Sequence, residues 1–467
     1  MEPLEYITTH LKGRSDLVVQ MLESGGTQWH IVYFYGAVNM DMLQMHVFRP
    51  LCEVPLESTG SQVQESLYRL HSFFTTPYQM TMNPDKAIQH LLLGEVILLS
   101  DYSRRIVMFP FSQAAKRPVD TAKNERNIRG PKEAFVEDLE TNLSLIRQRI
   151  KSPLLKVESF TLGEHTQTGV LMLYMEGICE SPLTDSIRQR LSNLKPQQVL
   201  GSSFIEECLD DHHYSPFPQM INTERPDVAV SSLLEGRVLI LTEGTPNHVI
   251  APVSFYSLMQ SAEDYYQRPF FSTWIRWVRY LFYLVTLVLP SAYVAITTFH
   301  PEMIPMNLLI TIASSRDIVP FPAVLEAFMM ELTFEVLREA GQRIPSALGQ
   351  TISIVGALVV GEAAVQAGIV SAPMVIIVAL TGISSFIIPH FALSLAVRFL
   401  RFTLLFMASV FGLFGVLLGV ILVYIHMLSL NPFGKPYLTP LIPLKPSLLG
   451  DVLARIPWPK VRPGNKT

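Results

Sequence analysis

The chain has 467 residues, 49% of them hydrophobic and 16% charged, with a mean hydropathy of +0.30. That is too apolar for an ordinary soluble enzyme and too charged for a bundle of membrane helices alone. A net charge of −4 without a basic face argues against nucleic acid as a partner, and Cys52, Cys179 and Cys208 are too scattered for a disulfide framework or a zinc site.

The composition divides the chain. Up to about Gln267 it is mixed and polar; from Trp277 to Leu428 long apolar runs dominate. The expected fold class is a soluble α/β N-terminal half followed by an all-α transmembrane bundle. The opening residues "MEPLEYITTHLKGRSDL" lack an apolar core, so no secretory leader is expected.

The first half looks duplicated. "HIVYFYGAV" (30–38) and "GVLMLYMEGI" (169–178) are β-rich runs that end in a glycine turn. "HLLLGEVILLSD" (90–101) and "SSLLEGRVLILTEG" (231–244) each read as a helix end, a glycine and a buried strand. Gly36 and Gly94 stand 58 positions apart, Gly177 and Gly236 59. Two related subdomains are expected, over 1–128 and 152–267. Between them, over 129–151, Gly130-Pro131 precedes a linker helix with early acids and late arginines, an order that suits the helix dipole.

This half holds no phosphate-binding loop, dinucleotide fingerprint, HExxH or GxSxG, so a non-enzyme without catalytic residues, cofactor or metal is expected. "DDHHY" (210–214) reads as a solvated loop rather than a metal cluster. "SPFPQMINTERPD" (215–227) reads as a proline-braced loop, suited to docking or to simple bracing.

The transmembrane domain is expected over 268–430. Trp277–Phe299 is long enough to span, and Arg268, Arg276 and Arg279 before it place the N-terminal half in the cytoplasm by the positive-inside rule. Met303–Ser314 is too short to span. In Pro320–Pro345, Glu331, Glu335 and Glu339 recur every four residues on one helical face. They suit either interfacial or intersubunit ion pairs or an acidic lining beside an ion pathway.

Within Gly349–Val370, the positions Thr351, Val355, Leu358, Glu362 and Gln366 form one stripe, polar at both ends and apolar in the middle. Glycines and alanines on the remaining surface allow close helix contact. A carboxylate at membrane depth must face protein or water. It is either hydrogen-bonded inside a bundle or part of a pore, with Leu358 as an apolar constriction and Glu362 and Gln366 as polar rings. Ser371–Pro389 and Arg401–Leu428 are expected as further spans. The basic, proline-rich tail over 431–467 is expected to be extended and to lie on membrane lipid headgroups.

Several ordered motifs together resemble the A subunit of GerA-type spore germinant receptors: "RGPKEAFVEDLETNLSLIRQR", "SPFPQMINTERPD", "LLEGRV", "DYYQR", "VPFP…EAFMMELTFEVLREAG" and "LGQTISIVGALVVGEAAVQA". The match runs from about Arg129 to His426 and is weak over the first 125 residues. The resemblance implies a multi-pass protein of the spore inner membrane, its N-terminal half in the spore core. It implies a transporter-like B subunit and a lipoprotein C subunit as partners. It also implies a homo-oligomeric, five-fold cation channel that opens on nutrient sensing, with the Gly349–Val370 helix lining the pore and Leu358 near its narrowest point. Glu362 departs from the glutamine expected there, which leaves ion preference open while favouring cations. A non-channel scaffold or relay subunit, including a stage V sporulation paralogue, is the alternative.

Overall fold

The computed structural model describes residues 2–24, 26–53, 74, 76–101, 103–112, 125, 129–343, 359, 361–444 and 451–457. The chain forms two compact units. The first takes in residues up to Asp211 together with Met220–Pro252; the second takes in His212–Gln219 and the chain from Val253 on.

In the first unit, helix α1 (Pro3–His10) leads into strands β1 (Leu17–Ser24) and β2 (Thr27–Phe34). Strand β3 (Gln79–Thr81), helix α2 (Pro84–Leu92), β4 (Val96–Ser100) and β5 (Ser103–Phe109) complete an antiparallel sheet in the order β1-β2-β4-β5-β3. Helix α3 (Leu139–Arg149) follows, its N-terminus capped where Asp138 Oδ2 accepts from Thr141 N–H at 2.9 Å. Then come β6 (Leu155–Leu162), β7 (Thr168–Met175), α4 (Ser181–Asn193), α5 (Ser202–Leu209), β8 (Ile221–Thr223), α6 (Pro226–Leu234), β9 (Val238–Thr242) and β10 (His248–Ala251). Their sheet runs β6-β7-β9-β10-β8, the same order shifted by five strands, and is again wholly antiparallel.

The expected duplication is therefore real, and the glycine pairs sit at equivalent places. Gly94 ends α2 and Gly236 ends α6, each one turn before the central strand, with φ of +83° and +79°. A Cβ on Gly94 would stand 3.0 Å from Ala37 O, and one on Gly236 2.8 Å from Ile178 O. Ala37 and Ile178 follow Gly36 and Gly177, so each helix-end glycine fits against the other glycine turn of its own copy. A further match marks the helix starts. Pro84-Asp85 and Pro226-Asp227 both open their helices, ten positions before the closing glycine. Proline at this first position loses no intrahelical hydrogen bond, and the aspartate suits the dipole.

Alternation along the strands gives the first sheet two buried faces. Ile31, Leu98 and Val107 pack against Leu43, Val47 and Leu51 on one side, while Val32, Ile97 and Met108 pack against Ile7, Ala87 and Leu91 on the other. That double burial is why "VILLS" reads as an unbroken apolar run.

The second unit is helical. Its labelled helices are α7 (Pro269–Phe299), α8 (Met306–Arg316), α9 (Ala323–Arg343), α10 (Ala372–Ser385) and α11 (Phe391–Ser429). Among the described residues, α7 and α11 are long and apolar enough to cross a membrane by length and composition. The span expected over Ser371–Pro389 is shorter: α10 has 14 residues, roughly 21 Å at the standard rise against a hydrocarbon core of ~30 Å. Helix α11 begins ten residues before the expected Arg401. It bends at Gly412, whose φ is +60° and whose missing Cβ leaves room for Phe299, at 3.1 Å.

Two expectations about charge are corrected. Arg276 and Arg279 are buried, and both contact the Asp264 carboxylate: Arg276 Nε at 3.1 Å, Arg279 Nη1 at 2.6 Å. They form an ionic cluster inside the protein rather than a basic flank. The described part of the tail is folded rather than extended. Trp277 Nε1 donates to Leu453 O at 2.8 Å, Tyr265 Oη to Asp451 Oδ2 at 2.8 Å, and Arg455 Nη2 to Tyr265 O at 3.0 Å. A backbone carbonyl, a carboxylate and a guanidinium of the tail thus pair with polar groups on α7 and the turn before it.

Candidate functional site

Helix α9 carries the three regularly spaced acids, and they emerge from the protein in sequence. Glu331 is buried, Glu335 half-buried and Glu339 exposed. Each has a basic partner. Arg401 Nη2 lies 2.8 Å from Glu331 Oε2, an ion pair whose angle falls short of a hydrogen bond. Arg398 Nη1 donates to Glu335 Oε1, and Arg343 pairs with Glu339 at 2.7 Å one turn along the same helix. Within the chain the acidic face is thus an ion-pair ridge, with Arg398 and Arg401 supplied by α11.

Arg338, on the same helix, lies over the Phe386 ring at 4.6 Å and donates to Ser385 Oγ at 2.6 Å. Gly382 permits the approach of Phe334, whose Cε1 would stand 2.4 Å from a Cβ there. A cation over an aromatic face is stabilised by the ring quadrupole.

One acid was not singled out from the sequence. Glu326 is wholly buried; its Oε2 accepts from Ser371 N–H at 3.0 Å and from Ser371 Oγ at 2.8 Å, and its Oε1 lies 3.3 Å from Arg316 Nε. Ser371 precedes α10, so this carboxylate meets the positive end of that helix. The signal available beforehand was weak, since Glu326 falls outside the four-residue rhythm of the other three.

Of the expected stripe, Thr351, Val355 and Leu358 lie outside the described residues. The helical residues at 361–366 carry the other two. Glu362 and Gln366 are both exposed, and Gln366 Nε2 donates to Glu362 Oε1 at 3.1 Å. Ala364 and Val365 on the other side pack against a core that includes Ala327, Met374 and Leu405. The helix therefore presents an acid–amide pair outward from an apolar unit and anchors itself by small residues behind it. Among the described residues, no group of three His, Cys, Asp or Glu side chains converges as metal ligands.

Comparison with known proteins covers nearly the whole chain. The model of the Bacillus/Clostridium GerA spore germination protein family matches residues 5–466. The chain is similar to the uncharacterized membrane protein YfkQ of Bacillus subtilis (strain 168), at 42% identity over 98% of this chain and 89% of that one. It is 40% identical to spore germination protein KA of the same organism, over 95% and 82% of the two chains, and 35% identical to spore germination protein A1, over 94% and 89%. The crystal structure of the N-terminal domain of the A subunit of the Bacillus megaterium spore germinant receptor GerK3 is 29% identical, with a TM-score of 0.41, covering 54% of this chain and 94% of that chain. A family match of this length, with relatives above 30% identity across most of their sequences, places the chain in the Bacillus/Clostridium GerA spore germination protein family.

Proposed function

We propose that this chain is the A subunit of a nutrient germinant receptor in the spore inner membrane, and that five copies surround a common axis to form a cation channel. A transporter-like B subunit and a lipoprotein C subunit are its partners, and the N-terminal half faces the spore core. The observation that carries the reading is the outward Glu362–Gln366 pair on an otherwise apolar helical unit. A carboxylate and an amide turned toward acyl chains are costly, whereas the same pair repeated around an aqueous axis is solvated and attracts cations. The family membership and the relatives named as spore germination proteins support the cellular role.

The second reading is a pore-free scaffold or relay subunit. The internal pairs Glu331–Arg401 and Glu335–Arg398 favour it, because they brace the helical unit without leaving those acids free for a pathway.

Ion retention in sporulating cells separates the two. In a channel, Leu358→Ala widens the apolar constriction, lowers the desolvation barrier to a hydrated cation and makes spores leak without nutrient. Leu358→Phe keeps the pore shut. Glu362→Gln leaves assembly intact and reduces cation flux, since it removes one negative charge per subunit at nearly constant volume. Normal ion retention in a well-expressed Leu358→Ala strain, with unchanged flux in Glu362→Gln, would end the channel reading in favour of the scaffold.

A further inference from the structure

The N-terminal unit contains a cleft of about 810 Å³ that the proposed channel does not use. It lies where the two subdomains meet. The segment between α1 and β1 is pinned there to β6: Arg14 bridges to Val157, and Ser15 N–H donates to Val157 O at 3.1 Å. Arg14 and Lys12 from one subdomain, and Lys156, Glu158, Tyr174 and Glu176 from the other, line the cleft.

Arg14 is the unusual member. It is 8% exposed, and its Nη2 donates to Ser152 O at 3.1 Å, but its Nε and Nη1 have no partner among the described residues. A guanidinium carries five N–H donors, and each one buried without an acceptor costs about 1–3 kcal/mol. The neighbouring Arg147 lacks an acceptor only at Nε, because Asp16 Oδ2 accepts from its Nη2. Both guanidiniums lie against the Phe34 ring, at 5.2 and 4.2 Å. Burial and the adjacent charge of Arg147 together push Arg14 down to about 10, and the nearby carboxylates of Asp16 and Glu176 offset this only in part.

The acids of the cleft do not supply the missing acceptor. Glu158 is held by Arg188 at 2.6 Å and by the Tyr174 hydroxyl at 2.8 Å. Glu176 faces Lys156 Nζ at 3.2 Å. With both carboxylates engaged, the positive charge left over belongs to Arg14 at the base and Lys12 at the exposed edge. Lys12 has no acidic partner among the described residues.

We infer that this cleft is an oxyanion site, taking the carboxylate or phosphate group of a small solute, with Arg14 as its buried anchor and Lys12 as a second, solvent-facing cation. An oxyanion accepts in the plane of a guanidinium and satisfies donors that no described residue reaches. The volume falls in the range of about 300–1,000 Å³ usual for small-molecule sites, and junctions between subdomains are common places for them. Because the cleft draws residues from both subdomains, an occupant links them and raises their resistance to unfolding. None of this depends on whether the helical unit forms a pore.

The test uses the full-length protein in detergent, titrated at constant ionic strength with inorganic phosphate, with acetate and with chloride, and followed by calorimetry and by thermal unfolding. Saturable binding of phosphate, of acetate or of both is expected, with chloride silent, and the preference between them identifies the anion class. Arg14→Gln should weaken binding at least tenfold. Lys12→Gln should weaken it several-fold while leaving unfolding in the absence of anion unchanged, since its side chain makes no hydrogen bond among the described residues. If Arg14→Gln does not fold, Lys12→Gln decides alone. Folded wild-type protein that binds neither phosphate nor acetate, or a Lys12→Gln protein with undiminished affinity, would overturn the assignment.

Discussion

Arg401 and Glu331 meet 2.8 Å apart with side chains 2% and 1% exposed, joining the first third of α11 to the first half of α9. A buried pair of this kind adds little beyond what apolar residues of similar volume would, yet breaking it strands a charge. Glu331→Ala or Arg401→Ala alone should therefore destabilise the helical unit by about 3–5 kcal/mol. The double substitution Glu331→Leu with Arg401→Met should recover most of that loss. Thermal unfolding of the four proteins in detergent checks it; single substitutions no worse than the double would show that the pair is not coupled.

Glycine substitutions separate backbone strain from steric crowding. Gly236 and Gly244 have nearly equal φ, +79° and +78°, but a Cβ on Gly236 meets Ile178 O at 2.8 Å while one on Gly244 has nothing within 4 Å. Gly244→Ala should cost about 1–2 kcal/mol from the left-handed backbone alone. Gly236→Ala should cost distinctly more, and Gly94→Ala should resemble it because Ala37 O stands at 3.0 Å. Urea denaturation reads all three. Equal losses at Gly236 and Gly244 would remove the crowding argument.

His248 gives the N-terminal unit a pH dependence. Burial pushes its imidazole down to about 3. Its Nδ1 faces Thr242 N–H at 3.3 Å and its Nε2 faces the Asn142 amide nitrogen at 3.0 Å, so a second ring proton would meet a donor. The folded-state value lies below the ordinary one, so the unfolded chain takes up the proton first. The stability contributed by the neutral ring is complete above about pH 6.5 and falls as the pH drops toward 3. Between pH 7 and pH 5 the loss should be about 2 kcal/mol, because below the unfolded value a difference of one bound proton changes stability by about 1.4 kcal/mol per pH unit. His248→Gln should flatten that part of the profile; an unchanged slope in a folded variant would refute the assignment.

Asp264 serves two arginines at once. Its carboxylate, 2% exposed, contacts Arg276 and Arg279 near the start of α7. Asp264→Asn keeps the shape but removes the compensating charge, so it should lower the unfolding temperature of the protein more than Asp451→Asn, whose carboxylate is 40% exposed and lies 3.4 Å from Arg276. The reverse order would place the electrostatic anchor in the tail.

Much of this architecture was legible in the residues. β-rich runs, glycine punctuation and the 58- and 59-position spacing follow from local backbone geometry, so the duplicated half could be read without a fold. The apolar lengths of α7 and α11, and the rhythm of Glu331, Glu335 and Glu339, are local in the same sense. What the tertiary structure decided is where each charge ends. Arg398 and Arg401 prove to be the partners of Glu335 and Glu331, more than sixty residues away. Arg276 and Arg279 likewise turn inward to Asp264, and the tail folds back through Asp451 and Arg455. Arg14 has no motif around it; its importance lies in two donors left without acceptors after folding. The physical reason is one of range. Helix and strand periods are written in neighbouring residues, whereas the partner of a buried charge is chosen by packing between distant segments, and only the folded chain brings those segments within 4 Å.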